Sequence, residues 1–494
     1  MRILALDIGT SSVRATVYTD QLRVLRPAVQ VGYRWHASPD GRVELPAARL
    51  ERTVTAAIDA AIADRRNAID AVSISAFWHS LMGVDVSGRP VTPVLPWSDT
   101  RASVEATALR EQLDDAAVHA RTGCRLHPTY WPARLRWFKA HDGQTFRRVH
   151  RWMSFPAYLQ RQWLGRQSES VSQASGTGIF VHTFAPRDAA GNACEPWDRE
   201  ICSACDVAPE QLGTVIDADA VDGALRARYA QRWPALAGAR WIPALGDGAL
   251  NNVGAGCVDG ARAALMVGTS GALRLAWTAD SPPDVPSSLW RYWIDRRRVV
   301  VGGALSNGGN LLAWMRDTFG VVVDGRLDAR LARIPPDAHG LTVLPFLAGE
   351  RSPDYRPDAR AVFAGLRLAT TRDDLVRAAL EAVAYRFRAI FEALGTVHRT
   401  AGIIATGHAL RSSKVWVQIL ADVLGRPISL PSEGELTSRG AAIVALEILG
   451  RADTVAPPRI ARTFTPDHRA HAVYLKAVER QRALMETLEN RGRA

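Results

Sequence analysis

Two stretches of the chain carry the residue types needed to hold phosphate. Asp7-Ile8-Gly9-Thr10-Ser11-Ser12-Val13-Arg14 ends an apolar run that starts at Ile3, and Met266-Val267-Gly268-Thr269-Ser270-Gly271-Ala272-Leu273 echoes it in the second half. In each, a Gly-Thr-Ser tip between β-type residues offers backbone N–H groups and short hydroxyls to anionic oxygens. Gly9, Thr10, Ser11 and Ser12 form the first tip and Gly268, Thr269 and Ser270 the second. Asp7, beside the first tip, is the natural carboxylate to support a magnesium ion through water. An acid ending an apolar strand would otherwise be costly to bury. Its counterpart is Met266, so the two loops have different jobs. Other phosphate grips are excluded. None of the three lysines, Lys139, Lys414 and Lys476, follows a glycine, which removes the G-x-x-x-x-G-K-[ST] loop, and Gly254, Gly256 and Gly260 lack dinucleotide spacing.

Two further groupings could act on a polyol. In Trp78-His79 an indole can cover C–H faces while the imidazole bonds hydroxyls, although a core tryptophan beside a satisfied histidine reads the same way. In Gly246-Asp247-Gly248 an acid lies between residues that let the backbone approach a ligand closely, and it could accept a hydroxyl proton. The triplet alone also describes an ordinary turn.

These residues need strand ends and turns to present them. Ile3 to Ile8 and Val13 to Tyr18 read as a hairpin around the first tip, and β-type residues flank the second in the same way. Helical patterns occupy Leu50 to Ile62 and Leu375 to Leu394, the latter preceded by Thr371 and Asp374 at capping-box spacing. Strands and helices thus mix in both halves, as in an α/β protein. A chain of 494 residues with 47% apolar content suits two cores, with the boundary near Trp241-Ile242-Pro243 and domains of 1–244 and 245–494.

Composition narrows the partners. The net charge of +11 comes almost wholly from scattered arginines without a basic run, so a solvated arginine-rich surface explains it better than nucleic-acid binding. No apolar stretch is long enough to span a membrane, and the N-terminal run meets Asp7 too soon for a signal peptide, so a cytoplasmic location is expected. The five cysteines argue against a disulfide scaffold. Cys202 and Cys205, with Cys194 upstream, read as buried thiols on one helical face rather than half a zinc site. The arginine-rich tail from Val473 to Leu488 is helical in pattern and expected to pack on the second domain.

The two phosphate motifs resemble those of the FGGY family of carbohydrate kinases. Ala361-x-Phe363-x-Gly365-Leu366, followed after seven residues by Asp374-Leu375-x-x-Ala378-Ala379-Leu380-Glu381, resembles that family's C-terminal signature. The likeness runs from about Ile3 to about Ala445. Several segments look most like the gluconokinase subgroup: Ser75 to Leu81, Trp97-Ser98-Asp99-Thr100-Arg101, Leu126-His127-Pro128, Asn307-Gly308-Gly309, and Leu347 to Pro353. The resemblance implies an actin-like, ribonuclease H-like fold of the sugar kinase, Hsp70 and actin type, with two α/β domains around an interdomain catalytic cleft. It implies that Trp78, His79, Asp99 and Arg101 line the acceptor pocket and that Asp247 is the catalytic base. Gly9 to Ser12, Arg14, Gly268 to Ser270, Asn307, Gly308, Gly407 and His408 would hold ATP, with Asp7 serving Mg2+. At Gly407-His408 the family has two adjacent glycines, so His408 adds a side chain where backbone should pass close to the nucleotide.

The activity so implied is ATP-dependent phosphorylation of a sugar acid, D-gluconate first and a pentulose or other polyol second. Arg101 and Arg134 are the candidate partners for a sugar-acid carboxylate. Closure of the cleft would exclude water from the transfer. An actin-like ATP-binding regulatory module without sugar turnover is the reading from a different class, and Asp7 and Asp247 stand against it. A homodimer is the assembly to expect.

Overall fold

The computed structural model describes residues 1–63, 68–183, 195–221, 224–452 and 455–492. Its first sheet is built on β1 (Arg2–Ile8), β2 (Ser12–Thr19), β3 (Val29–Gly32), β4 (Ala71–Ala76), β5 (Arg240–Trp241) and β6 (Leu245–Gly246). The order is β5-β4-β1-β2-β3, with β6 also paired to β4. β1 runs antiparallel to β2 and parallel to β4. β1 is covered on both faces, which is why it is a nearly unbroken apolar run.

The second sheet repeats the arrangement with β7 (Arg262–Val267), β8 (Gly271–Thr278), β9 (Trp290–Trp293), β10 (Arg298–Leu305), β11 (Gly402–Thr406), β12 (Ile428–Pro431) and β13 (Ile460–Phe464). Its order is β9-β10-β8-β7-β11-β12-β13. β7 is antiparallel to β8 and parallel to β11, as β1 is to β2 and β4. The sequence echo is therefore an architectural one: each Gly-Thr-Ser tip joins the first two strands of its sheet.

Five helices matter for the site: α1 (Ala47–Ala61), α2 (Asp247–Gly254), α3 (Arg372–Val397), α4 (Leu436–Ile448) and α5 (His468–Gly492). Helix α1 packs on the first sheet through Leu50, Val54 and Ile58. Helix α3 begins earlier than its apolar pattern because Thr371 and Asp374 form the expected capping box. Its Glu381 is buried and accepts hydrogen bonds from Arg377, Tyr385 and Tyr474. Tyr474 belongs to α5, so the C-terminal helix packs on the second sheet's side as expected; its Gln481 also donates to the carbonyls of Val343 and Ala382. Cys202 and Cys205 are buried thiols of one helix, Arg199–Cys205, whereas Cys194 lies outside the described residues. No helix among the described residues is long and apolar enough to cross a membrane.

A separate core fills the junction between the sheets. Ile3, Ala5 and Ala71 of the first sheet meet Ala276 and Val300 of the second, with Ala249, Leu250 and Val253 of α2 and Ala441 to Leu446 of α4 between them. The two helices touch backbone to backbone. A Cβ on Gly254 would lie 1.8 Å from the Leu436 carbonyl oxygen, and one on Gly440 would lie 1.8 Å from that of Leu250. Neither carbonyl can swing aside without opening its helix. Gly254→Ala or Gly440→Ala is expected to cost about 1–3 kcal/mol or more, read as a fall in thermal midpoint, with Gly395→Ala, which meets nothing within 4 Å, as the tolerated control.

Candidate active site

Asp7 lies one residue before the end of β1, in register with Arg14 on β2. It is 6% exposed, accepts from Ser75 Oγ at 3.1 Å and lies 3.6 Å from the Arg14 guanidinium. Burial, and then the neighbouring Asp247 carboxylate, push its pKa up to about 6 against the pull of Arg14. Asp247 is the first residue of α2 and is also raised by burial, with Arg274 the main opposing charge. A buried carboxylate whose ionisation the neighbouring Asp247 disfavours offers hard oxygen donors that a divalent cation would stabilise in ionised form, so Asp7 fits Mg2+. The grouping Asp337, His339 and Glu381 has metal-like spacing, but Arg480, Arg377 and two tyrosines already bond its carboxylates.

The loop tips are fixed from outside. Tyr33 Oη donates to the Gly9 carbonyl, and Trp35 Nε1 to that of Thr10 at 2.6 Å. At the second tip Gly309 N–H donates to the Gly268 carbonyl at 2.8 Å and Asn310 N–H to that of Thr269 at 3.0 Å. Bound this way, the carbonyls turn their negative ends from an incoming phosphate. Ser12 is buried and Ser11 exposed, while Arg14 is committed to two acids, Asp7 and Glu435.

Between the sheets lies a cavity lined among others by Trp78, His79, Tyr130, Asp247, Ser270 and Arg351. Trp78 donates Nε1–H to the Ser172 carbonyl at 2.7 Å, which fixes its ring as a wall. The glycines around Asp247 exist for this ring: a Cβ on Gly246 would lie 1.9 Å from Trp78 Cε2, and one on Gly248 2.6 Å from Cζ3. The triplet is thus a strand-to-helix junction moulded on an indole, not a turn. Gly248 N–H donates to Asp247 Oδ1 at 2.8 Å and orients the carboxylate.

His79 has φ of 69°, rare for a residue with a side chain. Its Nδ1 lies 2.6 Å from the Gly176 carbonyl. A carbonyl only accepts, so Nδ1 carries the proton and Nε2 is left as an acceptor. Burial lowers this histidine to about 3, so the ring is neutral. Tyr130 and Tyr292 share a hydroxyl contact of 2.7 Å, and Tyr292 stacks on Trp290 at 4.2 Å.

Asp99 and Arg101 do not line this cavity. Opposite charges two residues apart satisfy each other: Arg101 Nε lies 2.9 Å from Asp99 Oδ2, its Nη2 bonds Glu44, and its guanidinium covers Trp137. Arg134 is fully buried and spent on the carbonyls of Pro128, His79 and Pro96. The cationic groups that reach the cavity are Arg274 and Arg351. Arg274 bonds the side-chain oxygens of Asn252 and Asn251. Single arginines in an arginine-rich chain gave no signal that could have picked them out.

On the nucleotide side, Asn307 is turned inward, its amide gripping the Gly349 carbonyl at 2.8 Å and the Ala348 N–H at 3.0 Å. Gly308 is needed for closeness, since a Cβ there would lie 2.7 Å from the Ser270 carbonyl oxygen. Gly407 has φ of 93°, and a Cβ would lie 2.3 Å from the Val267 carbonyl oxygen. His408 is exposed, so its side chain does not enter that approach.

The chain matches the N-terminal domain of the FGGY family of carbohydrate kinases over residues 2–254 and the C-terminal domain over residues 263–447. It is 27% identical to a gluconokinase of Bacillus subtilis (strain 168) over 472 residues, covering 92% of this chain and 88% of the relative. It is 26% identical to a xylulose kinase of Escherichia coli (strain K12) over 502 residues, covering 98% and 99%. The crystal structure of a gluconate kinase from Lactobacillus acidophilus superposes with a TM-score of 0.88 at 23% identity, covering 99% of this chain and 98% of the other.

Gly246→Ala is expected to push the Trp78 ring and Asp247 apart and to lower kcat/KM about 100-fold. Fluorescence-monitored ATP binding should change little, because neither group belongs to the loop tips.

Proposed function

Because the chain belongs to the FGGY family of carbohydrate kinases, we propose that it transfers the γ-phosphoryl group of ATP to the terminal hydroxyl of D-gluconate, giving 6-phosphogluconate. The carrying observation is that Asp247 shares one cavity with an aromatic wall, the Ser270–Gly271 loop and two arginines, Arg274 and Arg351. A wall of Trp78 and tyrosines suits the C–H faces of an open-chain polyol, and the arginines suit an acceptor that is itself an anion. The likeness to gluconokinases over most of the chain agrees with this acceptor. Xylulose kinases of similar identity make a pentulose the second reading.

In this reading residues 1–244 supply Trp78, Tyr130 and the first loop, and residues 245–494 supply Trp290, Tyr292, the base and the second loop. Asp247 is the general base. Its Oδ1 is held by Gly248 N–H, its ionised form is favoured by Arg274 and by the backbone of Gly248 and Trp78, and the carboxylate takes the hydroxyl proton. As that proton moves to Asp247, the acceptor oxygen forms a bond to the γ-phosphorus and the bond from phosphorus to the β,γ-bridging oxygen breaks, releasing ADP. Trp78 and neutral His79 orient the chain, with His79 Nε2 accepting from a substrate hydroxyl. Bound Mg2+ would neutralise charge on the transferring group; Asp7 would hold it, and the two Gly-Thr-Ser tips would hold the phosphates. Gly308 and Gly407 would let the backbone pass close to the nucleotide, with His408 at the rim.

Two measurements test this. Coupled ADP release with Mg-ATP, run against D-gluconate, other aldonates, D-xylulose, L-ribulose and glycerol, is expected to be fastest with D-gluconate. Turnover with D-xylulose alone selects the second reading, and bound ATP with no turnover selects a regulatory module. Asp247→Asn is expected to cut kcat about 10²- to 10⁴-fold with ATP affinity nearly intact; full turnover in that variant removes Asp247 as the base.

A further inference from the structure

Arg351 lines the cavity, and among the described residues it forms no ion pair within 4.0 Å. Its Nη2 donates to the Leu305 carbonyl at 3.1 Å, and its Nε is buried without a hydrogen-bond partner. The guanidinium lies 4.3 Å over the Trp97 ring, which holds it flat. Burial draws its pKa below the usual arginine range, and Asp247 is the carboxylate that favours its charge. Arg274 differs, since its fork is bonded to Asn251 and Asn252 beside the base.

The segment around Arg351 is built for rigidity. Asn307 clamps the backbone at Ala348 and Gly349, and Ser352 N–H donates to the Ala304 carbonyl at 3.0 Å. Glu350, next in the chain, is locked between Arg356 and Arg386. An arginine held this firmly in a cavity without an ion-pair partner is arranged for an anion that arrives with the ligand.

His127 stands beside it and lines the same cavity. Thr129 N–H donates to His127 Nδ1 at 3.1 Å, so Nδ1 is unprotonated. Burial and the nearby Arg351 charge lower this histidine to about 3, so the ring is neutral and its proton sits on Nε2. That Nε2–H is buried and unpartnered; the Glu350 carbonyl is near but makes no hydrogen bond of normal geometry. The two histidines of the cavity therefore present opposite faces, His79 a lone pair and His127 a donor.

We propose that Arg351, with the Nε2–H of His127, forms a carboxylate subsite in the cavity that also holds Asp247, and that this subsite selects sugar acids over neutral acceptors. The proposal rests on the gluconate reading above and names the atoms that carry it. It replaces Arg101 and Arg134, whose bonds are already spent. With C1 bound as a carboxylate at Arg351, one end of the acid is fixed within the cavity that holds Asp247, so the contact that selects the acid also limits which hydroxyl can reach the base.

The test is the ratio of kcat/KM for D-gluconate to that for D-gluconamide, which keeps every hydroxyl and removes the charge. The wild-type protein is expected to prefer the acid, and Arg351→Gln to reduce the ratio about 10- to 150-fold, the worth of a charge-assisted hydrogen bond. His127→Phe is expected to reduce it less and serves if the arginine variant does not fold. Calorimetric titration of the wild-type protein with both ligands, without nucleotide, should give the same preference. If the wild-type protein prefers gluconate and both variants keep that preference, the subsite is overturned while the gluconate reading stands. If the wild-type protein phosphorylates D-xylulose and neither six-carbon compound, the gluconate reading fails and the subsite with it.

Discussion

The close crossing of α2 and α4 is the contact on which the rest of this molecule depends. Each helix brings a glycine to the other's backbone, so the helices approach nearer than any side chain allows. This crossing lies in the core that joins the two sheets, and Asp247 is the first residue of one of the crossing helices. The proposed base is thus attached directly to that crossing. Its partner Asp7 comes from the other side of the same junction, at the end of a strand buried on both faces. The separation of the two acids is set by packing rather than by flexible loops, which is what a site that must aim an oxygen at phosphorus requires.

A second close approach carries this rigidity into the cavity. Trp78 lies so near Gly246 and Gly248 that indole and acid are placed by one another, and the ring's Nε1–H is anchored to Ser172. From there the wall continues through Tyr292 stacked on Trp290 and Tyr130 bonded to Tyr292. Every polar atom committed to the protein on this wall narrows what a ligand can use. Among what is left are an acceptor on His79, the Asp247 carboxylate, and donors on Arg351 and His127.

The parts of this architecture that depend on local pattern were legible in the residues. Both Gly-Thr-Ser hairpins, the duplicated strand order, the capping box at Thr371 and the C-terminal helix follow from turn chemistry and apolar periodicity, which need only neighbours in the chain. What failed depended on long-range pairing. Asp99 and Arg101 have the right chemistry for a sugar acid, but a carboxylate and a guanidinium this close in sequence found each other and Glu44 first. Asn307 looked like a ligand residue and instead clamps a loop some forty residues onward. Tyr33 and Trp35, which hold the first loop, follow it by more than twenty residues with no motif to mark them. Arg351 lies within a family-like segment and carries no further mark in the sequence, because an arginine becomes informative only once its lack of an ion-pair partner can be seen.

The electrostatics of the cavity make a single pattern of these pieces. Near the loop tips burial and the Asp247 charge raise the affinity of Asp7 for a proton, and a cation favours its ionised form. In the cavity the Arg351 guanidinium is desolvated beside tyrosines, and an anion favours its charged form. A magnesium-bound nucleotide and a sugar acid carry complementary charges in that same order. A neutral polyol would match the aromatic wall and the histidine acceptor but leave Arg351 without a counter-charge in a poorly solvated place, which costs more than the lost contact alone. Discrimination between acid and neutral acceptors then arises less from added attraction than from the penalty of burying Arg351 unpaired.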